Sequence, residues 1–147
     1  MAISRLMPPN VAQTLEDSCW AAVLESWSRV DLCLVRQEQS ALIARWGEGP
    51  TGGITPARKI PLIAQALGLE GGAFRSGREV SSYLQRHLPD SHIFFAYTVS
   101  RQFTHSVLIY RLDGDDLWVM DPDRGRHRRR SLSWLGTLDP FVLLRRL

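Results

Sequence analysis

Gln13 lies six positions before Cys19, and Cys19 is followed by Trp20-Ala21-Ala22. Far downstream, His105 opens one apolar run and Asp121-Pro122 closes the next. Together these side chains suit acyl transfer. A cysteine in the first turn of a helix meets orphan backbone N–H groups and the positive end of the macrodipole, a setting that favours the thiolate. Thiolate is the species that attacks a carbonyl. The oxyanion so formed needs donors, which the Gln13 carboxamide and the Cys19 backbone N–H can supply. The thiolate needs a histidine partner, for which His105 is the candidate, and a carboxylate at Asp121 would fix its tautomer and stabilise its imidazolium.

The elements around these residues follow from hydrophobic periodicity. Residues 1–12 read as an extended lead-in, because Pro8-Pro9 blocks a helix. From Ser18 the steps of three and four between Trp20, Val23, Trp27, Val30 and Leu34 predict a helix, with Asp17 or Ser18 as cap. Further helices are predicted over Gln39–Trp46, Pro56–Leu67 and Glu79–Leu88, with Gly71-Gly72 as a loop. Strands are predicted over His92–Val99, His105–Leu112, Leu117–Asp121 and Phe141–Leu147, with a hairpin turn at Asp113-Gly114-Asp115-Asp116. Arg124–Arg130 is read as a basic loop and Leu132–Leu135 as a short helical turn. Helices first and antiparallel strands after define an α+β class. A three-residue hairpin loop would put Asp121 on the face of His105 and Asp123 opposite it; a two-residue loop reverses the parity. Asp123 stands as the rival to Asp121, two residues away and within the error of a predicted strand end.

Gln-x5-Cys-Trp-Ala, a strand-opening His and a later Asp-Pro resemble the papain-like cysteine peptidases. The stretches Thr104–Tyr110 and Val119–Gly125 resemble their bacterial branches, which include effector-type peptidases and double-glycine leader peptidases; Cys19-Trp20-Ala21-Ala22 is closer to the effector branch. The resemblance implies a papain-like fold. An N-terminal helical part would carry the nucleophile at the start of its central helix, packed on a C-terminal antiparallel β-sheet. It implies Cys19 as nucleophile, His105 as base, Asp121 as third member and Gln13 in the oxyanion hole. Glu16-Asp17-Ser18 and Asp121 depart from the plant and animal papains, which have Gly-Ser or Gly-x-x before Cys-Trp and Asn as third member.

The implied activity is hydrolysis of a peptide bond in a protein or peptide substrate, by a bacterial effector or toxin of the kind often paired with a neutralising immunity or inhibitor protein. The alternatives on the same triad are acyl transfer, deamidation and a transglutaminase-like reaction; a binding module with a dead site is the reading from another class. The 147 residues suit one domain over the whole chain. The N-terminus has no apolar core of a signal peptide and no run approaches a membrane span, so the chain is read as made in the cytoplasm and, if exported, delivered by a secretion system. A net charge of +3 does not argue for nucleic acid, and the Arg124–Arg130 run has no interleaved aromatics. It is read as a solvated loop, with an edge for acidic protein as the alternative. Two cysteines and four histidines show no metal-ligand spacing, and no cofactor is implied. Cys33, His87, His92 and His127 lack a partner set and are read as structural. A Cys19–Cys33 disulfide is allowed by count, but the context of Cys19 argues for free thiols.

Overall fold

A computed structural model describes residues 2–74, 76–100 and 103–147. In chain order the elements are β1 (Ala2–Ser4), α1 (Cys19–Val30), α2 (Gln39–Trp46), α3 (Pro56–Leu67), β2 (Leu69–Ala73), α4 (Gly77–His87), β3 (Ile93–Ser100), β4 (Phe103–Asp113), β5 (Asp116–Asp121), β6 (Arg126–Ser131), a 3-10 turn (Leu132–Thr137) and β7 (Asp139–Arg146). Among the described residues the strands form one antiparallel sheet in the order β2-β7-β3-β4-β5-β6, with β1 added to β4. The α+β expectation is met.

The strands alternate between two apolar clusters, as period-2 side chains must. Phe94, Ala96, Leu108, Met120, Val142 and Leu144 pack with Trp20, Val23, Leu24 and Trp27 of α1 and with Leu42 and Ile63 from α2 and α3. Phe95, Tyr97, Val107, Ile109, Val119 and Leu143 face the other way, onto Val80 and Leu84 of α4 and Leu135. The helical part thus covers one face and α4 the other. Ser76 caps α4, accepting the Glu79 N–H at 3.3 Å.

Two loop assignments are corrected. Gly71-Gly72 lies inside β2, where Gly71 pairs with Leu144 and an added Cβ would sit 1.7 Å from the Leu143 carbonyl oxygen. Close approach of two backbones, not a turn, places glycine there. The arginine run is β6, paired with β5 from Asp116↔Ser131 to Asp121↔Arg126. Arginine covers an edge strand without inviting a further one. The first helix also ends at Val30, short of Leu34.

The β4–β5 hairpin settles the parity. Asp113 pairs with Asp116 around Gly114-Asp115, a two-residue loop with Gly114 at φ 59°. Alone, this register would set His105 and Asp121 on opposite faces. A bulge at Tyr110 intervenes: below it Arg111 pairs with Trp118, above it Ile109 pairs with Val119. The extra residue flips the parity back, so His105 and Asp121 share a face.

Candidate active site

Cys19 is the first residue of α1. Ser18 holds the N-cap position, but its hydroxyl makes no bond to the helix amides. It accepts the Leu15 N–H at 3.0 Å and donates to Gln39 Oε1 at 2.8 Å. The first-turn amides, Cys19's own included, are left without a side-chain cap at the point where an oxyanion would form. Cys19 and Cys33 are both free; Cys19 is buried and Cys33 exposed.

His105 bonds to Cys19 on one side and to Asp121 on the other. The Nε2 to Oδ1 distance is 2.8 Å. Burial pulls the ring toward neutrality, but hydrogen bonds to Asp121 and Cys19 and the charges of both outweigh it and lift its pKa to about 9. Asp121 is itself buried, which raises a carboxyl; the bonds from His105, the Asp123 N–H and Arg128 reverse that and hold it below the ordinary value. Tyr97 stands edge-on to His105 at 5.7 Å and to Trp134 at 5.5 Å, fencing the imidazole. The thiol also lies 3.7 Å from the Thr104 carbonyl.

Beside the thiol is a narrow cleft of about 130 Å³, lined by Asp17, Trp20, Gly53, Ile54, Ala96, Thr104 and Ser106 among others. Trp20 donates to the Gly52 carbonyl at 2.8 Å, fixing the loop that forms one wall.

Three of the four expected residues are thus brought together. Gln13 is placed differently. Its Nε2 donates to the carbonyls of Glu16 at 2.6 Å and Leu15 at 3.2 Å, and it is not among the cleft-lining residues. Its backbone N–H donates to Pro122 O at 3.0 Å, joining the nucleophile loop to the Asp121 turn. Asp123 serves through its N–H, 3.0 Å from Asp121 Oδ1, while its carboxylate faces Arg126 at 3.7 Å. Gln39 escaped the sequence reading. It is buried, takes Thr14 N–H and Ser18 Oγ on Oε1 and gives Nε2 to Ala12 O, so it holds the loop ahead of Cys19. A glutamine at a helix start carries no sequence signal for that role. His92 bonds Leu6 O at 2.7 Å, a structural contact, and His127 packs on Tyr110. No group of three or more metal-ligating side chains is found among the described residues, nor a helix long and apolar enough to cross a membrane.

A thiol at a helix start, a histidine bonded to it and a carboxylate behind, on an α-helical layer against an antiparallel sheet, define the papain-like architecture. The solved structures agree. The peptidase domain of Streptococcus ComA, a bifunctional ABC transporter involved in quorum sensing, superposes with a TM-score of 0.70 at 19% identity, covering 94% of this chain and 96% of that one. A double-glycine motif protease from an AMS/PCAT transporter, in complex with the leader peptide, gives 0.68 at 18% identity over 98% and 95%. In sequence, the lactococcin-G-processing and transport ATP-binding protein LagD of Lactococcus lactis subsp. lactis is 32% identical over 89 residues. That match takes in 57% of this chain and only 12% of LagD. No protein-family model matches the chain. The chain therefore has the papain-like fold that its motifs implied, and the solved structures named here that share it are double-glycine peptidase domains rather than members of the effector branch its Cys19 block suggested.

Proposed function

We propose that this chain is a cysteine peptidase that cuts a peptide after small residues, with a double-glycine leader as its substrate class. The observation that carries the reading is the Cys19–His105–Asp121 line beside a narrow cleft walled by Trp20, Ile54, Pro56 and Ile60 as well as by Gly53 and Ala96. A cleft of only about 130 Å³ with such walls favours glycine over bulky side chains. With a pKa of about 9, His105 is charged at neutral pH beside the Cys19 sulfur. The thiolate adds to the scissile carbonyl. The uncapped helix amides, with Gln13 turned from its loop, receive the oxyanion. As the C–N bond breaks, the imidazolium gives its proton to the departing amine. Neutral His105 then deprotonates a water that opens the thioester, and the carboxylate product leaves. The relatives named above are processing or transport proteins, which favours leader processing over an effector or toxin and over the neutralising partner that such a role would call for.

The test is a synthetic peptide with Gly-Gly ahead of a polar cargo, followed by mass spectrometry. One cut after the second glycine is expected. Cys19→Ala abolishes it. Asp121→Ala lowers kcat by about 10²-fold or more, and Asp123→Ala stays within a few-fold because its backbone N–H remains. An intact peptide, or one changed only by the mass of deamidation, overturns the reading.

A further inference from the structure

We infer that Arg128, from the middle of the arginine run, is a positioning residue: its guanidinium clamps the second oxygen of Asp121 so that the first stays aimed at His105. The inference rests on the peptidase reading for its role in turnover, but its geometry is independent of the substrate.

The Asp121 carboxylate has two differently served oxygens. Oδ1 accepts His105 Nε2 at 2.8 Å and the Asp123 N–H at 3.0 Å. Oδ2 accepts from Arg128 Nη1 at 3.4 Å, among the described bonds its one side-chain partner. The Asp121 side chain is only 5% exposed, and an uncompensated carboxylate oxygen there is costly. Strand parity makes the contact reproducible. Val119 pairs with Arg128 and Asp121 with Arg126, so Arg126, Arg128 and Arg130 lie on the face of Asp121, while His127 and Arg129 lie on the other. The three arginines of this face divide the work. Arg126 meets Asp123 at 3.7 Å, Arg128 holds Asp121, and Arg130 lies over the Trp134 ring at 5.0 Å, behind Tyr97 and His105. Besides these, the charged and titratable groups facing Asp121 are His105 on β4, Tyr97 on β3 and, through His105, Cys19 on α1.

Losing the clamp has two consequences. The carboxylate can turn about its own axis, loosening the bond that orients His105. It also loses a cation, so it protonates more readily. Arg128 is about a third exposed, which keeps the electrostatic part small.

The variants are Arg128→Gln, Arg128→Lys and, as control, Arg129→Gln, whose side chain lies on the opposite face at 3.8 Å from Asp116. Two readouts are taken from pH 4 to 9: the rate of Cys19 alkylation by iodoacetamide, followed by peptide mapping, and kcat on the Gly-Gly peptide. For Arg128→Gln, kcat falls about tenfold with KM little changed, and the acid limb of both profiles moves up by about half a pH unit. Arg128→Lys keeps the charge and restores the acid limb, with kcat still a few-fold low. Arg129→Gln matches wild type. If Arg128→Gln folds poorly, by its melting curve, Arg128→Lys and Arg129→Gln must still separate in kcat. Profiles of the Arg128 variants that superpose on wild type overturn the inference. Should wild type not cut the peptide, the peptidase reading fails, and the alkylation profiles still decide the role of Arg128.

Discussion

Gln13 is the residue whose geometry and chemistry pull apart most. Its carboxamide is engaged with Leu15 and Glu16 carbonyls, which closes the turn before Cys19. A donor to an oxyanion must leave at least one of those bonds, with the oxyanion itself as the new acceptor. The two roles differ in what Gln13→Ala costs. Loss of turn bonds lowers stability by about 1–2 kcal/mol and leaves chemistry intact. Loss of an oxyanion donor lowers kcat by about 10²-fold or more with KM near wild type. We expect the second result, with Cys19 alkylation close to normal because His105 and the helix start are untouched. A lowered melting temperature with turnover inside a few-fold would reduce Gln13 to a loop brace and leave the helix amides as the oxyanion donors.

At the scale of elements, the parts legible in the sequence were those whose signal is local. The α1 face of Trp20, Val23 and Trp27, the body of α4 and the apolar β3 and β4 all follow from signals within one segment. What was illegible depends on a partner strand. Gly71-Gly72 reads as a breaker until β7 is placed against it, and Arg126–Ser131 reads as a loop until β5 satisfies its backbone. The bulge at Tyr110 is the sharpest case, since no residue type announces it, yet it decides whether His105 and Asp121 share a face. The order of Cys19, His105 and Asp121 was legible; the Gln39 brace and the Arg128 clamp were not, being contacts between distant segments. The turn after Asp121 is likewise set by another element. Gly125 has φ 58°, and a Cβ there would lie 2.7 Å from the backbone N of Ala12. Its N–H and that of Gln13 share the Pro122 carbonyl. Gly125→Ala therefore strains the turn and pushes the lead-in away. We expect a loss of about 2 kcal/mol, seen as a melting temperature lower by about 4–8 °C, together with reduced turnover. An unchanged melting curve would show that the lead-in yields freely and that the two loops are not coupled.

Across the whole molecule, the triad shapes how stability depends on pH. His105 has its folded pKa raised to about 9, against about 6.5 in an unfolded chain. Its contribution is fully present below about pH 6.5 and is lost as pH rises through about 9. Asp121 has its pKa lowered, so its share is present above about pH 4 and is lost as pH falls further. His92 works on the acid side as well. Burial leads the lowering of its pKa, and its ring is tied to the Leu6 carbonyl, so protonation below neutral pH charges a buried group that anchors the lead-in. The three together place the stability maximum near pH 6.5, with an alkaline decline owed to His105. That decline amounts to at most about 3 kcal/mol between pH 6.5 and 9.5, or about 6–12 °C in melting temperature. His105→Gln removes the titrating group while keeping a polar side chain beside Asp121. Its melting temperature should be lower than wild type at pH 6.5 and close to it at pH 9.5, while the acid-side decline persists. Thermal melts of both proteins at pH 5, 6.5, 8 and 9.5 measure this directly. Parallel curves for the two would mean that His105 gains no proton affinity on folding, and the charged imidazole assumed for catalysis at neutral pH would have to be abandoned.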